Sequence, residues 1–189
     1  MPHSFKGSVR VNGVELTVQN SSDLPRIRIR EMTIDDIPTV FAIGNSVFTK
    51  DKYVFLYRTW ETYEVTGLFS TDPELCLVAE VEGEVVGFAL GSIIEKPKSS
   101  WTYGYLIWTG VVPRFQRYKI GRRLYLEMEK RVMKLGARMM IIDTEGTNIT
   151  AVRFFESLGF SKGSQHLWMT KRLVKSRATG KTRKTREDV

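Results

Sequence analysis

The sequence predicts an α+β domain, a three-layer α/β arrangement in which a mixed, mostly antiparallel central sheet is flanked by helices. Three observations carry that expectation. The first half holds apolar runs joined by short turns at Asn12-Gly13 and Glu82-Gly83-Glu84, the pattern of antiparallel hairpins. From Ile120 onward helical and strand patterns alternate, which brings a parallel pair into the sheet. A chain of 189 residues, 42% hydrophobic and 26% charged, can bury a core without metal or disulfide staples. That composition excludes collagen-like, low-complexity and largely disordered classes. No apolar run approaches the ~20 residues that cross a bilayer, so no membrane is expected as a partner.

Each element has a local reason. Val9, Val11, Val14, Leu16 and Val18 alternate with polar residues about Asn12-Gly13, and Asn-Gly takes up the positive φ angles of a type I′ turn. Residues 1–25 therefore read as a hairpin extension and linker, 26–173 as the main domain and 174–189 as a basic tail. Ile27 and Ile29, separated by an arginine, suggest a strand. Thr33 or Asp35 then offers a helix cap, with Pro38 in the first turn. The aromatic-rich stretch from Tyr53 to Phe69 reads as helical, its rings lining core or groove. Leu75–Val81 and Val85–Ile94 form a hairpin, and the strand Tyr103–Val112 stops before Pro113.

Ile120, Leu124, Met128, Val132 and Leu135 recur every three or four residues, marking an amphipathic helix that Gly136 ends. Arg138–Asp143 is a short strand. Thr147 or Asn148 caps a second helix whose face is Ala151, Val152, Phe155 and Leu158, closed by Gly159. Leu167–Leu173 reads as a last strand.

Charge and cysteine content narrow the function classes. Residues 171–189 hold six of the eight net positive charges and read as a solvated tail. No aromatic residue is interleaved in Ser176–Val189 to stack on bases, so nucleic acid is not expected as a partner except through that tail. The lone cysteine, Cys76, excludes an internal disulfide and suits a reducing cytosol, where it serves as a small core residue. With two histidines and one cysteine no metal-ligand spacing emerges, and no metal is expected. The N-terminus shows no apolar signal core, which makes the expected location cytoplasmic.

The informative stretch runs from Tyr105 to Phe160. A strand ends at Val111-Val112-Pro113, and Arg114-Phe115-Gln116-Arg117-Tyr118-Lys119-Ile120-Gly121-Arg122 leads into a helix. Backbone N–H groups at a helix start are unpaired and attract anions. Arg117, Lys119, Arg122 and Arg123 crowd positive charge there, against the helix dipole unless an anion arrives. By spacing alone a phosphate site and a solvated basic turn stand level.

Gln116-Arg117-Tyr118-Lys119-Ile120-Gly121 resembles the acetyl-CoA motif of the GCN5-related N-acetyltransferase (GNAT) superfamily, Gln/Arg-x-x-Gly-x-Gly/Ala before a helix. The second signature, Asn-x-x-Ala-x-x-Phe-Tyr-x-x-x-Gly-Phe, is matched from Asn148 through Ala151, Phe154 and Phe155 to Gly159-Phe160. Together and in order the two are specific.

The resemblance implies a sheet splayed between Tyr103–Val112 and Arg138–Asp143, with acetyl-CoA as cosubstrate in the gap. Thr109, Gly110 and Val111 would line the pantetheine arm. Gln116, Arg117, Tyr118, Lys119, Ile120, Gly121 and Arg122 would hold the pyrophosphate, with Asn148 and Phe155 contributing further along. It also implies N-acetyl transfer by direct attack of a primary amine, of a protein lysine or N-terminus. A polyamine or amino-sugar acceptor is the alternative. Asp143 matches a base position and Tyr105 an acceptor-facing position; a strand-end turn residue and core packing remain their other readings.

Two departures stand out. Lys119 replaces a glycine, and Phe155 stands where a tyrosine acid is usual, so a non-catalytic acyl-CoA-binding protein is the alternative of another class. Oligomeric state, monomer or homodimer, is left open.

Overall fold

The computed structural model describes residues 7–11, 14–18, 26–49, 59–96, 101–161 and 163. Strands β1 (Gly7–Val11) and β2 (Val14–Val18) pair antiparallel with Val11 opposite Val14. The two residues between them, 12 and 13, where the sequence places a turn, lie outside the described residues. The linker that follows, the tail, the Leu167–Leu173 strand and the aromatic residues 53, 55 and 57 lie outside the described residues.

Among the described residues the main sheet has five strands: β3 (Ile27–Glu31), β4 (Cys76–Val81), β5 (Glu84–Glu95), β6 (Thr102–Val111) and β7 (Met139–Ile141), in that spatial order. All neighbours are antiparallel except β6 and β7, which run parallel. Among the described residues four α-helices cover it: α1 (Ile37–Val47), α2 (Thr62–Thr71), α3 (Ile120–Lys134) and α4 (Ile149–Glu156). This is the mixed α+β sheet the hairpins and the later alternation predict.

Alternation along β4 sorts side chains to the two faces, as a pleated strand requires. Leu75, Leu77, Ala79 and Val81 join a core with Leu124, Met128 and Val132 of α3 and Phe155 of α4. Cys76 and Val78 join Val40 and Ile43 of α1, Val65 of α2, Trp60, Phe88 and Trp108 on the opposite face. Burying side chains of this size stabilises by roughly 1.5–3 kcal/mol each. Gly136 (φ +87°) and Gly159 (φ +95°) stand just past α3 and α4, where the sequence places the stops.

Of the helix predicted from Tyr53 to Phe69, the described residues 59–61 are not helical, and α2 starts at Thr62. Glu61 is extended (φ −134°, ψ 160°), and Trp60 turns inward so that its Nε1 donates to Phe41 O at 3.1 Å. A Cβ on Gly44 would lie 2.0 Å from that indole, so α1 carries glycine where the tryptophan seats. Tertiary packing of one large ring overrides the local helical pattern.

Two arginines tie the layers together. The Arg30 guanidinium grips Asp36 with Nη1 to Oδ2 at 2.6 Å and Nη2 to Oδ1 at 2.9 Å, while its Nε donates to Glu80 Oε2 at 2.8 Å. The N–H and hydroxyl of Thr33 also donate to Asp36 Oδ2, at 2.7 and 2.9 Å. On the other face Arg131 of α3 pairs with Glu31 and Glu127 and donates to Glu74 O at 2.9 Å.

Arg30 and the Thr33 donors hold the Asp36 carboxyl down to about 2, although burial opposes this. A depressed carboxyl stabilises the fold above its unfolded value and loses that contribution as pH falls. Asp36 should therefore contribute about 2 kcal/mol at neutral pH, lost between about pH 4 and pH 2. Acid titration of denaturant midpoints checks this: Asp36→Asn should be less stable at pH 7, the gap to wild type closing toward pH 2. Burial, with the charges of Asp72 and Glu74, pushes the Cys76 thiol up to about 12. Iodoacetamide at pH 8 should leave Cys76 unlabelled in the native protein and label it once urea unfolds the chain.

Candidate active site

The site begins with an irregularity in β6. Leu90 of β5 faces Trp108, but the next residue, Gly91, faces Leu106, so Ile107 is the extra residue of a β-bulge. A bulge bends its strand and resets which face later side chains occupy. Leu106 accordingly lies in the α3–α4 core and Trp108 in the α1–α2 core, although period-two alternation would place both on one face.

β7 follows β6 only below the bulge. The parallel register covers Tyr103 with Met139, Gly104 with Met140 and Tyr105 with Ile141, and ends there. Residues 106–111 of β6 have no strand on that side among the described residues. The predicted strand Arg138–Asp143 is thus shortened to three residues, because its second half leaves the sheet. Above this point Val112 N–H donates to Val86 O at 2.9 Å, turning its backbone toward β5. Val111, one residue earlier, turns its N–H and C=O to the open edge, where Gln116 Nε2 donates to Val111 O at 3.2 Å. Thr109 shares that backbone orientation, and its hydroxyl donates to Phe88 O at 3.0 Å. A Cβ on Gly110 would lie 3.0 Å from the Phe88 ring.

At the point of parting, the Tyr105 hydroxyl donates to Asp143 Oδ1. The two residues proposed from sequence for acceptor chemistry, 38 positions apart, are hydrogen-bonded neighbours. Asp143 is exposed and Tyr105 half-buried.

At the other end of the open edge, a 3-10 turn (Pro113–Phe115) leads through Gln116–Lys119 into α3. Arg117 (φ +76°) and Lys119 (φ +59°, ψ 17°) both adopt left-handed backbone conformations. That geometry costs an L-residue with a Cβ roughly 1–2 kcal/mol. Lys119 is the N-cap of α3, and no acidic side chain stands in the first turn. Arg122 Nη1 donates to Ser157 O at 3.4 Å and Arg123 Nη2 to Ile27 O at 2.7 Å. The exposed Arg117 and Lys119 have no carboxylate partner among the described residues. Their charge and the unpaired N–H groups of the helix start make an anion-attracting end.

The remaining predicted residues divide by role. Ile120 and Phe155 have core side chains, with the Phe155 ring edge-on to Phe154 and Phe160. Tyr118 packs against the core beside Phe115, and Gly121 faces the Phe154 ring. Asn148 Oδ1 accepts from Ala151 N at 3.1 Å and so caps α4. Sequence reasoning missed one contact on the α1–α2 face: Trp108 Nε1 donates to Glu64 Oε2 at 3.0 Å. Nothing in the spacing of residues 64 and 108 announces it. Among the described residues no group of three His, Cys, Asp or Glu side chains could hold a metal ion, and no helix is long and apolar enough to cross a membrane.

The sheet opens after three parallel pairs, and an anion-attracting helix start stands at the end of the opened strand. The model of the acetyltransferase (GNAT) family matches residues 41–160, and the chain belongs to that family. It is 29% identical over 121 residues to an acetyltransferase of Sodalis glossinidius, covering 63% of this chain and 81% of that one. It is 28% identical over 117 residues to N-alpha-acetyltransferase 30 of Dictyostelium discoideum, covering 62% of this chain but only 54% of that protein.

Among solved structures, the aminoglycoside N-acetyltransferase AAC(6')-Iy in complex with CoA superposes with TM-score 0.62 at 20% identity, over 79% of this chain and 97% of that one. Ard1 from Thermoplasma volcanium superposes with TM-score 0.61 at 24% identity, over 73% and 84%. These two likenesses establish the fold.

Lys119→Gly separates strain from charge in the turn before α3. Calorimetry should show a melting temperature raised by about 2–4 °C, as about 1 kcal/mol of strain is relieved. Titration of the same variant with inorganic pyrophosphate should show binding weakened by up to about fivefold through the lost charge.

Proposed function

We propose that the chain transfers an acetyl group from acetyl-CoA to a primary amine of a protein or peptide, a lysine side chain or an N-terminus. The observation that carries this reading is the Tyr105–Asp143 hydrogen bond at the point where β6 and β7 part. The open edge fits an extended carrier, since Thr109 and Val111 direct backbone groups into it. The basic turn fits a diphosphate, since Arg117, Lys119 and the first N–H groups of α3 face solvent without an acid nearby. The likeness to N-alpha-acetyltransferase 30 supports a protein amine as acceptor.

Bound acetyl-CoA supplies an activated thioester carbonyl and a thiolate leaving group. The chain's own residues do the rest. Val111 N–H donates toward the carbonyl oxygen, where negative charge develops during attack, a preorganised electrostatic effect. The amine must be neutral to attack, whereas a lysine side chain has a pKa of ~10.4 and an α-amine ~8. Asp143 takes the proton, directly or through water, while Tyr105 fixes the carboxylate and turns its hydroxyl oxygen toward the acceptor. The amine nitrogen forms its bond to the carbonyl carbon, the carbon–sulfur bond breaks, and the amide departs without a covalent acyl-enzyme. Phe155 cannot protonate the leaving sulfur. A thiol with a pKa of ~8.5 is a tolerable leaving group, which keeps that loss toward the low end of ~10²–10⁴-fold.

Acetyl transfer from labelled acetyl-CoA to a peptide panel tests the reading. Asp143→Ala should lower kcat by about 10²-fold and Tyr105→Phe by about tenfold, with CoA affinity unchanged in both. Full turnover in Asp143→Ala would remove it from the mechanism, and transfer to small amines alone would displace the protein acceptor.

A further inference from the structure

Two carboxylates, not one, are held by aromatic donors of β6. Tyr105 donates to Asp143, and three residues along the strand Trp108 Nε1 donates to Glu64 Oε2 at 3.0 Å. Trp108 is 5% exposed and wedged edge-on against Trp60 and tilted against Phe48, so its indole N–H is a fixed donor. Glu64, in the first turn of α2, is half-buried. Its second oxygen has no partner among the described residues, and no lysine or arginine pairs with it there.

The bulge at Ile107 decides which face this carboxylate occupies. It sends Trp108 to the α1–α2 side, away from α3 and α4. The anion-attracting turn belongs to the start of α3, so the α1–α2 side is left for the acceptor. Tyr105 lies on that same side, because its neighbours Gly104 and Leu106 face α3. The donors that hold the two carboxylates, Tyr105 and Trp108, thus stand on one face of β6, three residues or about 10 Å of strand apart. Asp143 is used where the reacting amine must lose its proton. A second carboxylate held by another donor along the strand does not serve the same nitrogen, and its half-buried, indole-bound position leaves one oxygen to take a fixed cation.

We infer that Glu64 binds a second positive charge on the acceptor, so that this enzyme selects amines carrying another ammonium or guanidinium group about 10 Å from the reacting nitrogen. The inference rests on the proposed transferase reading. A long diamine and a peptide with a basic second residue share this chemistry.

The test measures kcat/KM of the full chain for matched acceptors: 1,8-diaminooctane against 8-amino-1-octanol, and peptides beginning Met-Lys against Met-Gln. Wild type should prefer the dication in at least one pair by about five- to tenfold, expressed in KM. Preference in the first pair alone assigns a small polyamine, and in the second alone a basic peptide. Glu64→Gln, which keeps an oxygen for the Trp108 indole, should collapse the ratio toward one, and Glu64→Lys should invert it. A wild-type ratio near one in both pairs, or a ratio that survives Glu64→Gln, overturns the inference while the transferase reading stands. CoA binding with no transfer to any acceptor would overturn both.

Discussion

One extra residue in one strand governs the rest of the site. Ile107 interrupts the pairing of β5 with β6, and β7 keeps company with β6 only as far as Tyr105. A regular ladder would have satisfied the outward backbone groups of Thr109 and Val111 within the sheet and left no place for a ligand backbone. Parting the strands leaves those groups to be satisfied by something else, and unpaired backbone groups in a half-buried position are costly. The same bulge moves Trp108 to the opposite face from Leu106, so the aromatic group on the α1–α2 side stands next to the opening.

The opening persists because its surroundings are rigid on both faces. Leu124, Met128 and Val132 of α3 are buried beneath the sheet, and Arg131 fastens that helix to Glu31 and to the turn before β4. Above it, Trp60, Phe88 and Trp108 form a close group of rings, while Arg30 clamps the entry to α1 through Asp36. Besides Glu82 in the β4–β5 turn, left-handed strain falls in the turn before α3, where Arg117 and Lys119 hold that geometry without being glycine. An anion at that turn would offset their crowded charge, so the conformation that is uphill alone suits the occupied site.

Much of this was legible in the residues. Turn chemistry at Glu82-Gly83, the spacing from Ile120 to Val132, and the glycine stops at 136 and 159 are local signals, and the structure follows them. The two signatures about Gln116 and Asn148 carried the family. The misses are non-local. No pattern around residues 53–61 reveals that Trp60 must leave a helix to meet Phe41 and Gly44, and no local signal marks Ile107 as unpaired. The hydrogen bond between Glu64 and Trp108 spans 44 residues and depends on that bulge. Asp143 and Tyr105 were selected separately by resemblance, and only the fold brings them into contact.

The central claim is that the open edge of β6 is the carrier's seat. Amide chemical shifts of the full chain, followed while CoA is added, test it most directly. The account predicts that the Thr109 and Val111 amides move and saturate together with those of residues 119–122, while β1 and β2 stay fixed. Saturable CoA binding that leaves Thr109 and Val111 unshifted would contradict it.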